Sequence, residues 1–278
     1  MSRSSFFRQK ERIFDTAESG LIDNFSQINS EIFRSIQEGI RQFDIQAGAF
    51  IDSADNLQKM AEIQERIESA VLQSGYRNRV SDYLTNFDNI SEINAEFHST
   101  VNQLTGVSPV INRRQNIMIG QTVNRLLGSG VNQAFAAPVA EQIQQYVLSG
   151  TSIAEATENL RKFVLGDEKL GGLERYVKQV AGDAIRGYDG SIQNAIQKEY
   201  DLNAISYEGS LINDSRPQCV RWVREFGGII LLSELENEIA WAETNGSGWI
   251  EGTTKETFFA NRGGYNCRHS VTATQSRG

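Results

Sequence analysis

Only two cysteines, two histidines, three prolines and three methionines occur in this chain of 278 residues. Two cysteines are too few for a disulfide-stapled secreted scaffold. No proline precedes Pro109, so nothing in the first hundred residues forces a helix to break. No apolar window approaches the length of a membrane span, and residues 1–10, MSRSSFFRQK, hold no apolar run of the secretory kind. Synthesis and first folding in a cytoplasm are therefore expected. Positive charge is also short: 27 Lys and Arg against 35 Asp and Glu give a net charge of -8. That balance argues against nucleic acid held over a broad surface, which needs clustered cations, and leaves only a local DNA contact. There is no Walker-type loop, no Gly-x-Gly-x-x-Gly after a strand and no His-Glu-x-x-His.

What is present is helical periodicity. Phe14, Ala17, Leu21, Phe25, Ile28, Ile32, Ile36, Ile40 and Phe43 recur every three or four residues, which sets them on one stripe. Ala54, Leu57, Ala61, Ile67 and Val71 extend the pattern past the softer Ala47-Gly48-Ala49 stretch. Such a narrow stripe suits a bundle core or a seam for a partner. Ser74-Gly75 reads as a bend, and Thr105-Gly106-Val107-Ser108-Pro109 as the first strong breaker. Arg113 and Arg114 belong to a solvated turn or helix start. Beyond them the spacing predicts two helices over 117–165, with Gly150 ending one and Ser152 capping the next, Glu155 completing a capping-box pattern. A long helix follows over about 173–200. After Leu202 come a short strand (204–209), a turn at Asn213–Pro217, a helix from Gln218 to Phe226 and a glycine- and Trp-rich tail. The expected fold class is mainly α: an elongated N-terminal helical hairpin or bundle over 1–108, a helical region over 109–202 and a small α+β module over 203–278. With 39% apolar and 22% charged residues, the composition suits long helices or partner-covered surfaces.

Chemistry-bearing residues gather in the last quarter, at Asp214–Cys219 and at Asn266-Cys267-Arg268-His269. Cys219, Cys267 and His269 offer three ligands to zinc, with Asp214 as a fourth, although Cys219 lacks the close ligand pair usual in structural zinc sites. A Cys219–Cys267 disulfide is a second reading, opposed by a reducing compartment. A Cys219-His269-Asp214 nucleophilic set can be written, but no nucleophile elbow or family-type signature surrounds Cys219. The simplest reading packs both cysteines as small apolar residues and has Arg268 and His269 hydrogen-bond the Asp214 turn. On that reading no residue is catalytic and no cofactor is bound. His98 is expected at a helix surface or core edge, and Trp222, Trp241 and Trp249 as core or interface anchors.

In order, the segments from about 128 onward resemble the phage head morphogenesis family, the Mu F-like minor head proteins. The resemblance rests on Ser149-Gly150-Thr151-Ser152 leading into Ala154–Leu160, and on the helix from Val177 to Glu199 with Asp183–Tyr188 and Asn194-Ala195. It continues through the strand Ile205–Glu208, the Asp214–Cys219 station, Gly227-Gly228, and Asn266–His269, which matches a terminal Cys-Arg-His type. This chain has Asp214-Ser215-Arg216-Pro217 where the family has an Asp-Asp/Glu-Arg-Thr turn, and Phe258–Gly264 in place of a Pro-x-His-Pro approach. The resemblance implies a non-enzymatic minor structural protein of a tailed-phage head, near the portal, acting in head assembly and in DNA packaging or ejection. The implied partners are portal, major capsid protein or scaffold, with multiple copies per virion. The N-terminal helices lie outside the resemblance and suit an arm that binds one of these partners. A toxin-like effector or enzyme built on the same Cys/His constellation is the alternative.

Overall fold

Helix dominates because apolar residues keep the 3.6-residue period along most of the chain and proline is nearly absent. The computed structural model describes residues 3–265 and 267–276, without the side chain of Ser4. It is mainly α, as the periodicity predicts. The order is α1 (Arg3–Ile22), α2 (Phe25–Ile40), β1 (Ile45–Gln46), β2 (Ala49–Phe50), α3 (Ala54–Val71), α4 (Arg77–Thr100), α5 (Val107–Leu127) and the short α6 (Ser129–Val131). Then come α7 (Ala137–Leu148), α8 (Ile153–Leu165), α9 (Gly172–Glu199), β3 (Ala204–Glu208), α10 (Pro217–Val220), β4 (Ile229–Leu231), α11 (Leu235–Asn245), α12 (Lys255–Asn261) and β5 (Ser270–Thr274). None of the described helices is long and apolar enough to cross a membrane.

Two compact units divide the chain: Ala17–Leu84 with Gly120–Gly182, and Met1–Thr16 with Thr85–Ile119 and Asp183–Gly278. The expected break near 108 falls just after the α4–α5 turn, and residue 203 lies between α9 and β3. Each unit nonetheless draws on both sides of residue 108, because the divisions at 16, 84, 119 and 182 fall within helices α1, α4, α5 and α9.

In the first of these units, α2 buries Phe25, Ile28, Ile32, Ile36 and Ile40 against α3 and α8. The part of the predicted stripe from Phe25 to Ile40 is therefore one face of α2, while Asn24, in the left-handed conformation (φ 57°), ends the run that begins on α1. On α3 Ile67 and Val71 are buried as the pattern predicts, but the first half of the helix departs from it. Ala54 and Ala61 are exposed and Leu57 is 48% exposed, while Asn56, Met60, Ile63, Ile67 and Ala70 face inward. Asn56 sets this rotation. Its Oδ1 accepts from the Asp44 N–H (2.7 Å), and its Nδ2 donates to the Asp44 and Ile51 carbonyls (3.0 and 2.8 Å). It thereby closes the loop that carries the β1–β2 hairpin, where Ala47 and Gly48 turn the chain with positive φ. Ser53 caps α3 and Ser152 caps α8, accepting from Asn56 N–H and Glu155 N–H respectively.

In the second unit β3 is the centre of an antiparallel sheet of order β4-β3-β5, with Ile205 opposite both Ile230 and Ala273, and Tyr207 opposite Val271. Phe6, Phe7, Ile93 and Phe97 form an aromatic core between α1 and α4. Beside it runs a buried polar chain. Lys10 Nζ pairs with Asp189 (2.7 Å), Asn94 Nδ2 donates to Asp189 (3.0 Å), and Gln193 Nε2 donates to Asn94 Oδ1 (2.6 Å). Gln193 Oε1 in turn meets His98 Nε2 (3.0 Å) and accepts from the Ala273 N–H (3.1 Å). His98 is thus fully buried, not at the core edge as expected. It ties α4 to α9 and, through Gln193 and Asn102, to β5.

Candidate functional site

The site is built around β3. Its sequence, Ala-Ile-Ser-Tyr-Glu, is rich in strand formers, and a central strand needs partners on both edges. Burial on both sides of Tyr207 follows, and its ring is fully enclosed. Pro217 holds Arg216 in extended backbone (φ -62°, ψ 150°) and starts α10, so Gln218 and Cys219 turn inward. From the other side, the turn after α12 delivers Gly263 and Gly264, then Cys267 and His269 just before β5. Asn266, part of the sequence-level station, lies outside the described residues.

Tyr207 Oη lies 3.2 Å from Cys219 Sγ and 3.3 Å from Cys267 Sγ, and Cys267 Sγ lies 3.7 Å from His269 Nδ1. The Tyr207 and His269 rings stack at 4.9 Å. Cys219, Cys267 and His269 are 3%, 5% and 8% exposed, so the cluster is sealed from solvent. Gly263 supplies part of the seal. A Cβ there would sit 2.5 Å from Tyr207 Oη, 2.7 Å from Cys219 Sγ and 3.0 Å from Cys267 Sγ. Both cysteines are free thiols, which leaves the disulfide reading without a bond. The hydrogen bond from Cys219 draws the Cys267 thiol well below its ordinary range, with help from His269 and Tyr207 and against burial. Cys219 is pushed up in turn, by that same contact and by burial.

Two sequence expectations need correction. Asp214 does not join the cluster: it is exposed, and the described group of close donor atoms consists of Cys219, Cys267 and His269, all within 4.8 Å of one another. Its turn projects a carboxylate that gains more from water than from a buried thiol pair. A Cys219-His269-Asp214 relay is thereby excluded, and so is Asp214 as a fourth zinc ligand. Nor do Arg268 and His269 clasp the Asp214 turn. Arg268 is exposed, and His269 Nε2 is buried without a hydrogen-bond partner.

The clasp is made by two residues the sequence did not single out for it. Arg216 Nη1 donates to the Gly263 carbonyl (2.9 Å) and Nη2 to that of Tyr265. Gln218, fully buried, donates to the carbonyls of Ser247 (2.8 Å) and Gly263 (2.9 Å) and accepts from the Ser247 N–H (3.1 Å). These bonds satisfy backbone groups of turns that have no strand to pair with. Tyr207 was read only as a strand residue. A contact that joins residues far apart in sequence leaves no local periodicity to detect. Trp222 is core, with its indole N–H donating to Glu238 (2.9 Å), whereas Trp241 and Trp249 are half-buried.

Chemically, the cluster offers two soft sulfur donors, an imidazole and a phenol in a closed space, and among the described residues no carboxylate hydrogen-bonds the histidine. The described surface cavities lie elsewhere, one beside Phe43, Ile63 and Arg66, the other beside Leu72, Leu126 and Val131. Comparison with known proteins supplies no relative: no family model matches the chain, nor does any curated protein or solved structure.

Proposed function

We propose that the protein is a non-enzymatic minor structural component of a tailed-phage head. It works near the portal, in head assembly and in DNA packaging or ejection, through helical contacts with portal, capsid protein or scaffold. The observation that carries this reading is the meeting of the Arg216–Cys219 and Cys267–His269 segments on β3, next to α9. Those segments bear the resemblance to the Mu F-like minor head proteins, and here they close one small module. The non-enzymatic part rests on the site's geometry. Its thiols are buried, its histidine hydrogen-bonds no carboxylate among the described residues, and Asp214 stands apart in solvent. Residence in the virion, and in the host cytoplasm during assembly, follows from the same reading.

The test is purification of particles from infected cells, followed by quantitative mass spectrometry. A head component is recovered at a low, fixed ratio to portal and remains bound through a density gradient. Absence from particles overturns the reading. So would a turnover abolished by Cys219→Ala in a correctly folded variant, which would favour the effector or enzyme alternative.

A further inference from the structure

We propose that Cys219, Cys267 and His269 form a closed structural site for a divalent transition metal of the zinc class, with the Tyr207 phenol oxygen as fourth ligand. The site concerns how the C-terminal module is held together, and it stands independently of where the protein works. Two thiolates and an imidazole form a donor set that zinc prefers over harder cations. Their spacing suits tetrahedral geometry. With metal–sulfur bonds of about 2.3 Å and metal–nitrogen or –oxygen bonds of about 2.0 Å, neighbouring donors sit roughly 3.3–3.8 Å apart. The Cys267 Sγ to His269 Nδ1 separation is 3.7 Å, and Tyr207 Oη is 3.2 and 3.3 Å from the two sulfurs. The three cysteine and histidine donors already lie within 4.8 Å of one another, so a contraction of about 1 Å completes the polyhedron.

Two further observations fit a bound cation. The Gly263 backbone packs directly on the donor atoms, since any Cβ there would strike the phenol oxygen and both sulfurs. The Arg262 guanidinium, beside Gly263 in the chain, has its Nε buried and unpartnered. Two thiolates and a phenolate around a dication carry one net negative charge, and Arg262 balances it. Binding releases the protons of both thiols and the phenol to solvent, and no redox change is involved. Closure on every side distinguishes this from a catalytic centre, which keeps one ligand position open. The role fits the surroundings, because a three-stranded sheet with short helices and glycine-rich turns gains most from a cross-link between distant segments.

The experiment uses the full chain, produced with added zinc, purified under reducing conditions and analysed by native mass spectrometry and elemental analysis. One zinc per chain is expected, with both thiols inert to alkylation until a chelator or denaturant is added. Exchange with cobalt(II) should give an intense tetrahedral visible spectrum and a thiolate-to-metal charge-transfer band. Both bands should be lost in Cys267→Ser and in His269→Gln. Because those variants can fail to fold, Tyr207→Phe provides the second reading: it keeps the charge-transfer band and alters the visible bands as water replaces the phenol. Folded wild-type protein with two reactive thiols and no zinc or cobalt overturns the site. So does a Cys219–Cys267 disulfide in the protein as purified, or retention of the metal by Cys219→Ser/Cys267→Ser. An unchanged cobalt spectrum in Tyr207→Phe overturns the fourth ligand.

Discussion

Lys10 and Asp189 face each other at 2.7 Å with 0% and 5% of their side chains exposed, so neither charge has water to fall back on. Burial lowers the Lys10 pKa, opposed by the charge and hydrogen bond of Asp189. Removing one partner leaves the other charge stranded, which costs about 3–5 kcal/mol, whereas removing both costs far less. Lys10→Met is therefore expected to destabilise by that amount in chemical denaturation, and Lys10→Met/Asp189→Leu to recover much of it. His98 makes a second prediction. Burial lowers its pKa from 6.5 to about 4, with Gln193 pulling the other way and Lys10 adding to the lowering. The unfolded chain thus binds a proton between those pH values that the folded chain refuses. Stability from this group is complete above about pH 6.5 and is lost as the pH falls through 4, a change on the order of 3 kcal/mol. Denaturation midpoints measured from pH 7 to pH 4 should fall accordingly, and His98→Gln should flatten much of that slope. Neither effect was legible in the sequence. Lys10 and His98 sit in ordinary helical surroundings, and only packing of α1, α4 and α9 decides that they are inside.

At the scale of elements, turn geometry separates mild changes from severe ones. Gly75, at φ 81° between α3 and α4, has open space where a Cβ would go. Gly75→Ala meets only backbone strain, about 1 kcal/mol. Gly264, at φ 104°, would place its Cβ 2.0 Å from the Gly248 carbonyl oxygen, beside the bond that oxygen accepts from the Tyr265 N–H. Gly264→Ala is expected to cost roughly 3 kcal/mol or more. Its signature would be increased thiol reactivity at Cys219 and Cys267, since the same turn shields them. Asn56→Ala removes three hydrogen bonds from a buried loop and strips the Ile51 carbonyl and the Asp44 N–H of their partner, while the Asp44 carbonyl keeps the Ile51 N–H. A loss of roughly 2–4 kcal/mol is expected, with faster hydrogen exchange confined to residues around 44–51. The helices themselves were readable, because a 3.6-residue period reports which face is buried. The register at the start of α3 was not, because a polar Asn56 takes an inward position on account of loop carbonyls that periodicity ignores. The β1–β2 hairpin escaped for a related reason: two strands of two residues are too short to show alternation.

For the whole molecule, the net charge of -8 argues that broad DNA binding is absent, and the chain should pass through a DNA column at physiological salt without retention. Strong retention would show a basic surface that the overall balance conceals. The interleaving of the two units, with helices α1, α4, α5 and α9 contributing to both, could not be read from composition shifts along the chain. Linear texture marks where a helix ends, not which distant segments share its core. What the sequence by itself determined is the helical class, the capping of α8 at Ser152, the stripe on α2, the strand at β3 and the drawing together of rare Cys and His residues near the C-terminus. These are local properties, set by period, caps and residue type within a turn or two. Only the tertiary structure decided that Tyr207 stands between the two thiols, that Asp214 stays in water, that Arg216 and Gln218 make the clasp, and that His98 is core. Each of these depends on which residues, far apart in sequence, are forced to share one desolvated space. That follows from packing rather than from any short stretch of chain.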